Sequence, residues 1–149
     1  MADSIRERIL SAFAVKLATI TVANGYKTDI GSNVHRAVRS TDEANLPWVS
    51  ILDGAETFER RGGSMLVSMP VDVHVLYSTP TPSTAVWQVL ADVYKCVESW
   101  DFKTAGLLDS VEYVEGAPQY PEDGSDVVEI VSRFVFRFDL VRGDPYSQP

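Results

Sequence analysis

The stretch Met65-Leu66-Val67-Ser68-Met69-Pro70-Val71-Asp72-Val73-His74-Val75-Leu76-Tyr77 decides the fold. Met65, Val67, Met69, Val71, Val73, Val75 and Tyr77 take every odd position, while Ser68, Asp72, His74 and Ser78 take even ones. A side-chain period of two over that length predicts a long β-strand with one apolar face. Pro70 has no N–H to give to a sheet ladder, so it marks an edge or a bulge and predicts a bend there.

Reading toward the C-terminus, Thr81 as N-cap and Pro82 at the first helical position open a helix whose stripe is Val86, Trp87, Leu90, Val93, Tyr94 and Val97. Asp92, Lys95 and Glu98 are expected to face water. Leu108–Glu115 reads as a strand, and Pro121-Glu122-Asp123-Gly124-Ser125 is turn chemistry leading into the last one. In that last strand Val128, Ile130, Phe134, Phe136, Phe138 and Leu140 alternate with Glu129, Arg133, Arg137 and Asp139. The segment 142–149, containing Asp144 and Tyr146, reads as a loose tail.

Reading toward the N-terminus, Ala55–Ser64 is a charged stretch with adjacent Gly62 and Gly63, expected to be a mobile loop. Trp48–Asp53 is a strand ended by Gly54, and Val34–Val38 a short one in an otherwise polar region. Ser4 with Glu7 makes a capping box, and Ile5, Ile9, Phe13, Leu17 and Ile20 recur at helical spacing as far as Asn24-Gly25. The fold class that follows is α+β: one domain over 1–149, with two helices on the apolar face of an antiparallel or mixed sheet. Two strands of about 14 residues at roughly 3.3 Å per residue reach about 46 Å. A compact domain of this length is only about 38 Å across. Overhanging strand ends invite pairing with another chain, unless a bend at Pro70 shortens the reach.

Composition narrows the function. With 149 residues, 45% hydrophobic content and one cysteine, Cys96, the chain has the make-up of an ordinary globular domain without a disulfide framework. The N-terminal sequence has no uninterrupted apolar run, so neither a signal peptide nor a membrane span is expected. The net charge of −8 argues against holding nucleic acid by its phosphates. The balance is −6 from Asp101 onward and −2 before it. An acidic wall repels DNA, which suits a conduit, and also simply keeps a protein soluble.

No catalytic, cofactor-binding or metal-binding group is expected. His74 beside Asp72 reads as a surface-strand histidine, and His35 fares no better as a base. Cys96 reads as a half-buried, inert thiol. The bunched Glu122, Asp123 and Asp126 read as a solvated hairpin tip, and Gly62-Gly63 lacks the lysine of a phosphate loop. A pair of carboxylates brought together in space stays open.

The order of parts resembles the tail-terminator proteins of long-tailed bacteriophages. The resemblance rests on the opening helix, Thr28-Asp29-Ile30-Gly31, Leu46-Pro47-Trp48-Val49-Ser50 leading to Asp53-Gly54, and the long alternating strand before a second helix. Asp123-Gly124-Ser125, the aromatic strand and Gly143-Asp144-Pro145-Tyr146 complete it. It implies a structural virion protein at the head-proximal end of the tail, made in the bacterial cytoplasm and not associated with a membrane. Such a protein forms a homo-oligomeric ring, a hexamer, on the major tail tube protein, ends tube growth and meets a head-completion or connector protein. DNA is only cargo passing through the lumen, and neither catalysis nor a cofactor is implied. Candidate partner contacts are Glu56, Phe58, Glu59, Arg60, Arg61, Asp144 and Tyr146. Candidate lumen or subunit-facing residues are Asp72, Glu129, Arg133, Arg137 and Asp139, with the two arginines pairing either with Glu129 and Asp139 or with the next subunit. The rival readings are a head-tail adaptor or tail-completion protein of the same neck, a small enzyme with a carboxylate pair, and a monomeric adaptor for a host protein.

Overall fold

The structure is a computed structural model that describes residues 3–38, 46–102, 106–120 and 125–149. The expected turn at Pro121–Gly124 lies outside them. Helix α1 spans Ile5–Leu17 and helix α2 Pro82–Glu98. The strands are β1 (Val34–Arg36), β2 (Trp48–Asp53), β3 (Thr57–Arg61), β4 (Ser64–Ser78), β5 (Ser110–Gln119) and β6 (Val127–Val141). They form one mixed sheet in the order β1-β2-β4-β6-β5, with β3 pairing on the same side of β4 as β2. Only β1 and β2 are parallel. This is the α+β architecture expected from the sequence, with both helices on one face.

The period of two holds along the spine of the sheet. Val67, Met69, Val71, Val73 and Val75 of β4 and Val128, Ile130, Phe134, Phe136 and Phe138 of β6 are all buried, and the two 15-residue strands pair from Ser64↔Val141 to Ser78↔Val127. Phe13 of α1 sits edge-on to Phe136 at 5.0 Å and to Phe134 at 6.3 Å, with Trp100 at 5.3 Å. Edge-to-face rings at these separations add attraction beyond area burial. Helix α2 lays Val86, Val89, Val93 and Cys96 into the same core.

Pro70 occupies neither an edge nor a break in the β4–β6 ladder. Its carbonyl accepts from Gly54 N at 2.9 Å, so its backbone faces the side where β2 ends at Asp53↔Val71 and β3 begins at Thr57↔Ser68. The missing N–H falls at the seam between two partners, where no ladder bond is lost.

Three further expectations are corrected. The segment expected as a mobile loop is the strand β3, because Gly62 (φ 63°) and Gly63 form a two-residue hairpin turn and Ser64 Oγ closes on Arg61 O at 3.0 Å. The C-terminal segment is tied down: Ile5 N donates to Pro145 O at 3.0 Å, Val141 N to Ser147 O at 3.0 Å and Gln148 Nε2 to Leu107 O at 2.9 Å. Helix α1 stops at Leu17, short of Asn24, because the Lys16 carbonyl is taken by Thr19 Oγ1 at 2.6 Å and Cys96 Sγ at 3.3 Å. Ile20 remains buried on the following turn, and Gly25 (φ 90°) ends a short 3-10 turn at Val22–Asn24.

Candidate functional site

Polar clusters come first, since any chemistry would arise there. Asp92, expected in water, is buried. Its carboxylate accepts from Lys27 N at 3.1 Å, Thr28 N at 2.8 Å and Thr28 Oγ1 at 2.6 Å, pinning the segment before Ile30 to α2. That is a structural anchor, with its acceptors committed to two backbone N–H groups and the Thr28 hydroxyl. Cys96 is fully buried, more than expected, and burial pushes its thiol pKa upward, away from a reactive thiolate. His35 stacks on Trp48 at 3.7 Å, and His74 Nδ1 meets Glu129 Oε1 at 2.9 Å rather than Asp72. Among the described residues no cluster of His, Cys, Asp and Glu is arranged to hold a metal ion. No helix among them is long and apolar enough to cross a membrane.

The outer face of the sheet carries the residues expected to line a lumen, in a charge ladder. Arg133 lies between Asp72 (3.8 Å) and Glu115 (3.1 Å), and Arg137 meets Glu112 at 2.9 Å. The partners Glu129 and Asp139 expected for these arginines are taken elsewhere, because β5 supplies glutamates to the same face. Asp139 instead faces Asp109. A side-chain hydrogen bond to Asp139, together with partial burial and like charge, raises Asp109 from 3.8 to about 6. Asp139 Oδ1 is shut away from water with no hydrogen-bond donor among the described residues.

The residues expected to meet a partner divide between the hairpin arm and the C-terminal turn, and the structure joins the two. Arg142 N donates to Gly63 O at 2.9 Å, and a shallow groove of about 280 Å³ is lined by Phe58, Met65, Leu140, Asp144 and Pro145. Phe58 is 54% exposed and Tyr146 50%. Cross-strand pairing of Phe58 with Val67 and of Arg60 with Met65 puts both on the helix side of the sheet, with Glu59 and Arg61 on the outer side. Glu56 is held by Arg6 of α1, which fixes the root of the arm. Asp144 turns back on its own segment, accepting from Tyr146 N at 3.0 Å.

A second exposed apolar patch was missed by sequence reasoning. Trp87 and Tyr94, assigned to the core stripe of α2, are 60% and 49% exposed. They lie seven residues apart on one side of the helix, and Tyr94 meets Tyr113 of β5 at 5.7 Å. Val114 is the extra residue of a β-bulge and is also exposed. The helix therefore has two apolar stripes, one buried and one facing out, which a single amphipathic reading merges.

No protein-family model and no curated protein matches the chain. Among solved structures, a chain of the virion of a native gene transfer agent particle is similar over 74% of this chain and 81% of that one, with 14% identity and a TM-score of 0.49. That likeness is one of chain path.

Proposed function

We propose that this chain is a structural virion protein: a tail terminator whose copies form a hexameric ring on the tail tube, end its growth and receive the head-completion protein. The observation that supports this best is the exposed arm at one end of the sheet. Strands β4 and β6 pair over their full 15 residues and carry β3, all five of whose residues are exposed, beside an open groove with the exposed Phe58 on its wall. An exposed edge strand next to an apolar groove is what an assembling subunit presents. The order of sequence motifs, from the opening helix to Pro145 in the closing turn, is what the resemblance to tail terminators rests on. The ladder of Asp72, Arg133, Glu115, Arg137 and Glu112 is assigned to the lumen, where DNA passes without adhering.

The test is removal of the gene from the genome that carries it. Tails of uncontrolled length beside unattached heads are expected. Tails of normal length with unattached heads would move the chain to the head-tail adaptor role, and intact infectious particles would remove the virion reading altogether.

A further inference from the structure

We infer that copies of this chain join head to tail, the arm end of one copy docking its Phe58 patch onto the exposed α2–β5 face of the next. The inference rests on the ring reading above and supplies its contact surfaces.

Placement is the first argument. At the one level they share, through Thr57, Ser68, Arg137 and Ser110, the strands run β3-β4-β6-β5, so β3 and β5 are opposite edges of the sheet, about 14 Å apart at 4.8 Å per strand, and from there β3 runs toward one end of β4–β6 and β5 toward the other. The Phe58 groove lies at one edge, and Trp87, Tyr94, Tyr113 and Val114 lie along the other. Within one chain the two patches lie apart on the helix side of the sheet, near opposite edges, and each has an unpaired strand edge beside it among the described residues. Both edges can take a strand from another chain.

Charge is the second argument, and it identifies the occupant. Arg60 and Arg142 are exposed beside the Phe58 groove and have no carboxylate partner among the described residues, while Asp144, the carboxylate that lines the groove, accepts from Tyr146 N within its own turn. Glu98 is exposed beside Tyr94 and has no cationic partner among them. Pairing like with like would set arginine on arginine or glutamate on glutamate. Pairing unlike patches neutralises both rims around an apolar centre, the anatomy of a specific interface. A cleft of about 120 Å³ between Tyr94, Phe102, Val111 and Tyr113 opens on the acidic side and is placed to take the Phe58 ring. A contact between two different surfaces of one chain repeats from copy to copy, closing into a ring or growing into a filament.

The test uses the full chain in two forms, Phe58→Ser with Arg60→Glu and Trp87→Ser with Glu98→Arg, compared with wild type by native mass spectrometry and sedimentation over a wide concentration range. Wild type should associate, and each variant should weaken association by at least about tenfold. An equimolar mixture should associate through the one unaltered contact, the wild-type arm of the second variant on the wild-type face of the first, and stop at one-to-one dimers, because the other contact regains matched charges but has lost both apolar anchors, Phe58 and Trp87. Arg60→Glu combined with Glu98→Arg in one chain should restore assembly. If a double variant loses its fold, the single reversals at the exposed Arg60 and Glu98 carry the same comparison. Variants that assemble as wild type does, or a mixture that stays monomeric, would overturn the docking surfaces and leave the ring standing. A wild-type chain that is monomeric throughout would overturn the ring with them.

Discussion

Replacing Asp92 by alanine is expected to destabilise the fold by about 3–4 kcal/mol. The figure comes from the bonds that are lost. Asp92 accepts from Thr28 N at 2.8 Å and Thr28 Oγ1 at 2.6 Å, and Thr28 is only 3% exposed, so neither donor can turn to water. Hydrogen bonds to a charged group contribute about 1.5–3 kcal/mol, and a buried donor left without a partner costs about 1–3 kcal/mol. The bond from Lys27 N adds less, since that residue is exposed and water can replace the carboxylate. Asp92→Asn keeps the shape and one acceptor oxygen and should cost about half as much. In urea melts with an m-value of about 2 kcal/mol per molar, the alanine variant should lower the midpoint by about 1.5–2 M at unchanged slope. Thr28→Val and Asp92→Ala should be less than additive in a double-mutant cycle, because they remove the same bonds. An alanine cost below about 1 kcal/mol, or full additivity with Thr28→Val, would show that this anchor does not hold the segment to α2.

Gly31→Ala should destabilise by more than about 2 kcal/mol, because the added methyl would lie 2.7 Å from the backbone oxygens of both Leu17 and Ala18, with no flexible side chain to give way; a thermal melt within about 1 °C of wild type would contradict it. Phe13→Ala, which empties the centre of the Trp100, Phe134 and Phe136 cluster, should cost about 3–5 kcal/mol in the same urea assay, with Phe13→Leu costing under half of that. Asp109, raised to about 6 beside Asp139, gives a pH dependence of definite sign. The folded state holds its proton more tightly than the unfolded chain, so this pair's contribution falls as pH rises from 3.8 through about 6, by no more than about 1 kcal/mol at so exposed a site. Asp109→Asn should flatten that slope in melts taken at successive pH values, and an unchanged slope would assign the titration to another group.

What the sequence made legible follows from what each signal encodes. The strand from Met65 to Tyr77 and the aromatic strand after it were readable because a period of two over many residues has a single physical interpretation. Trp48–Asp53 was readable to the residue because Pro47 and Gly54 punctuate it. Segment 55–64 was misread because Gly62-Gly63 fits both a flexible loop and a tight hairpin turn, and the choice is made by β4, to which Phe58 and Arg60 pair. Asp92 was misread for a related reason: its burial depends on Thr28, far away in the chain, and spacing along α2 gives no sign of that contact. The candidate residues on the arm and in the closing turn were legible as charged or aromatic groups in irregular sequence. That Phe58 and Asp144 meet around one groove depends on the Arg142–Gly63 bond, a tertiary contact. Trp87 and Tyr94 were lost to the opposite error, since hydrophobicity alone assigns them inward.

The outer face shows how a mixed sequence yields a surface of one sign. Arg133 and Arg137 seem to contradict an acidic wall when β6 is considered by itself. Register changes the balance, because β5 sets Glu112 and Glu115 against these arginines, while Asp72, Asp109, Glu129 and Asp139 crowd the same side. Six carboxylates surround Arg133 and Arg137, and Arg61 on the adjoining arm is set against Glu59, so the face remains net negative. A phosphate approaching it meets long-range repulsion, and it would have to displace a bonded carboxylate to reach an arginine. In the proposed ring that combination explains why Arg133 and Arg137 on a DNA passage do no harm: fixed within the ladder, they turn their donors to carboxylates rather than to a passing strand.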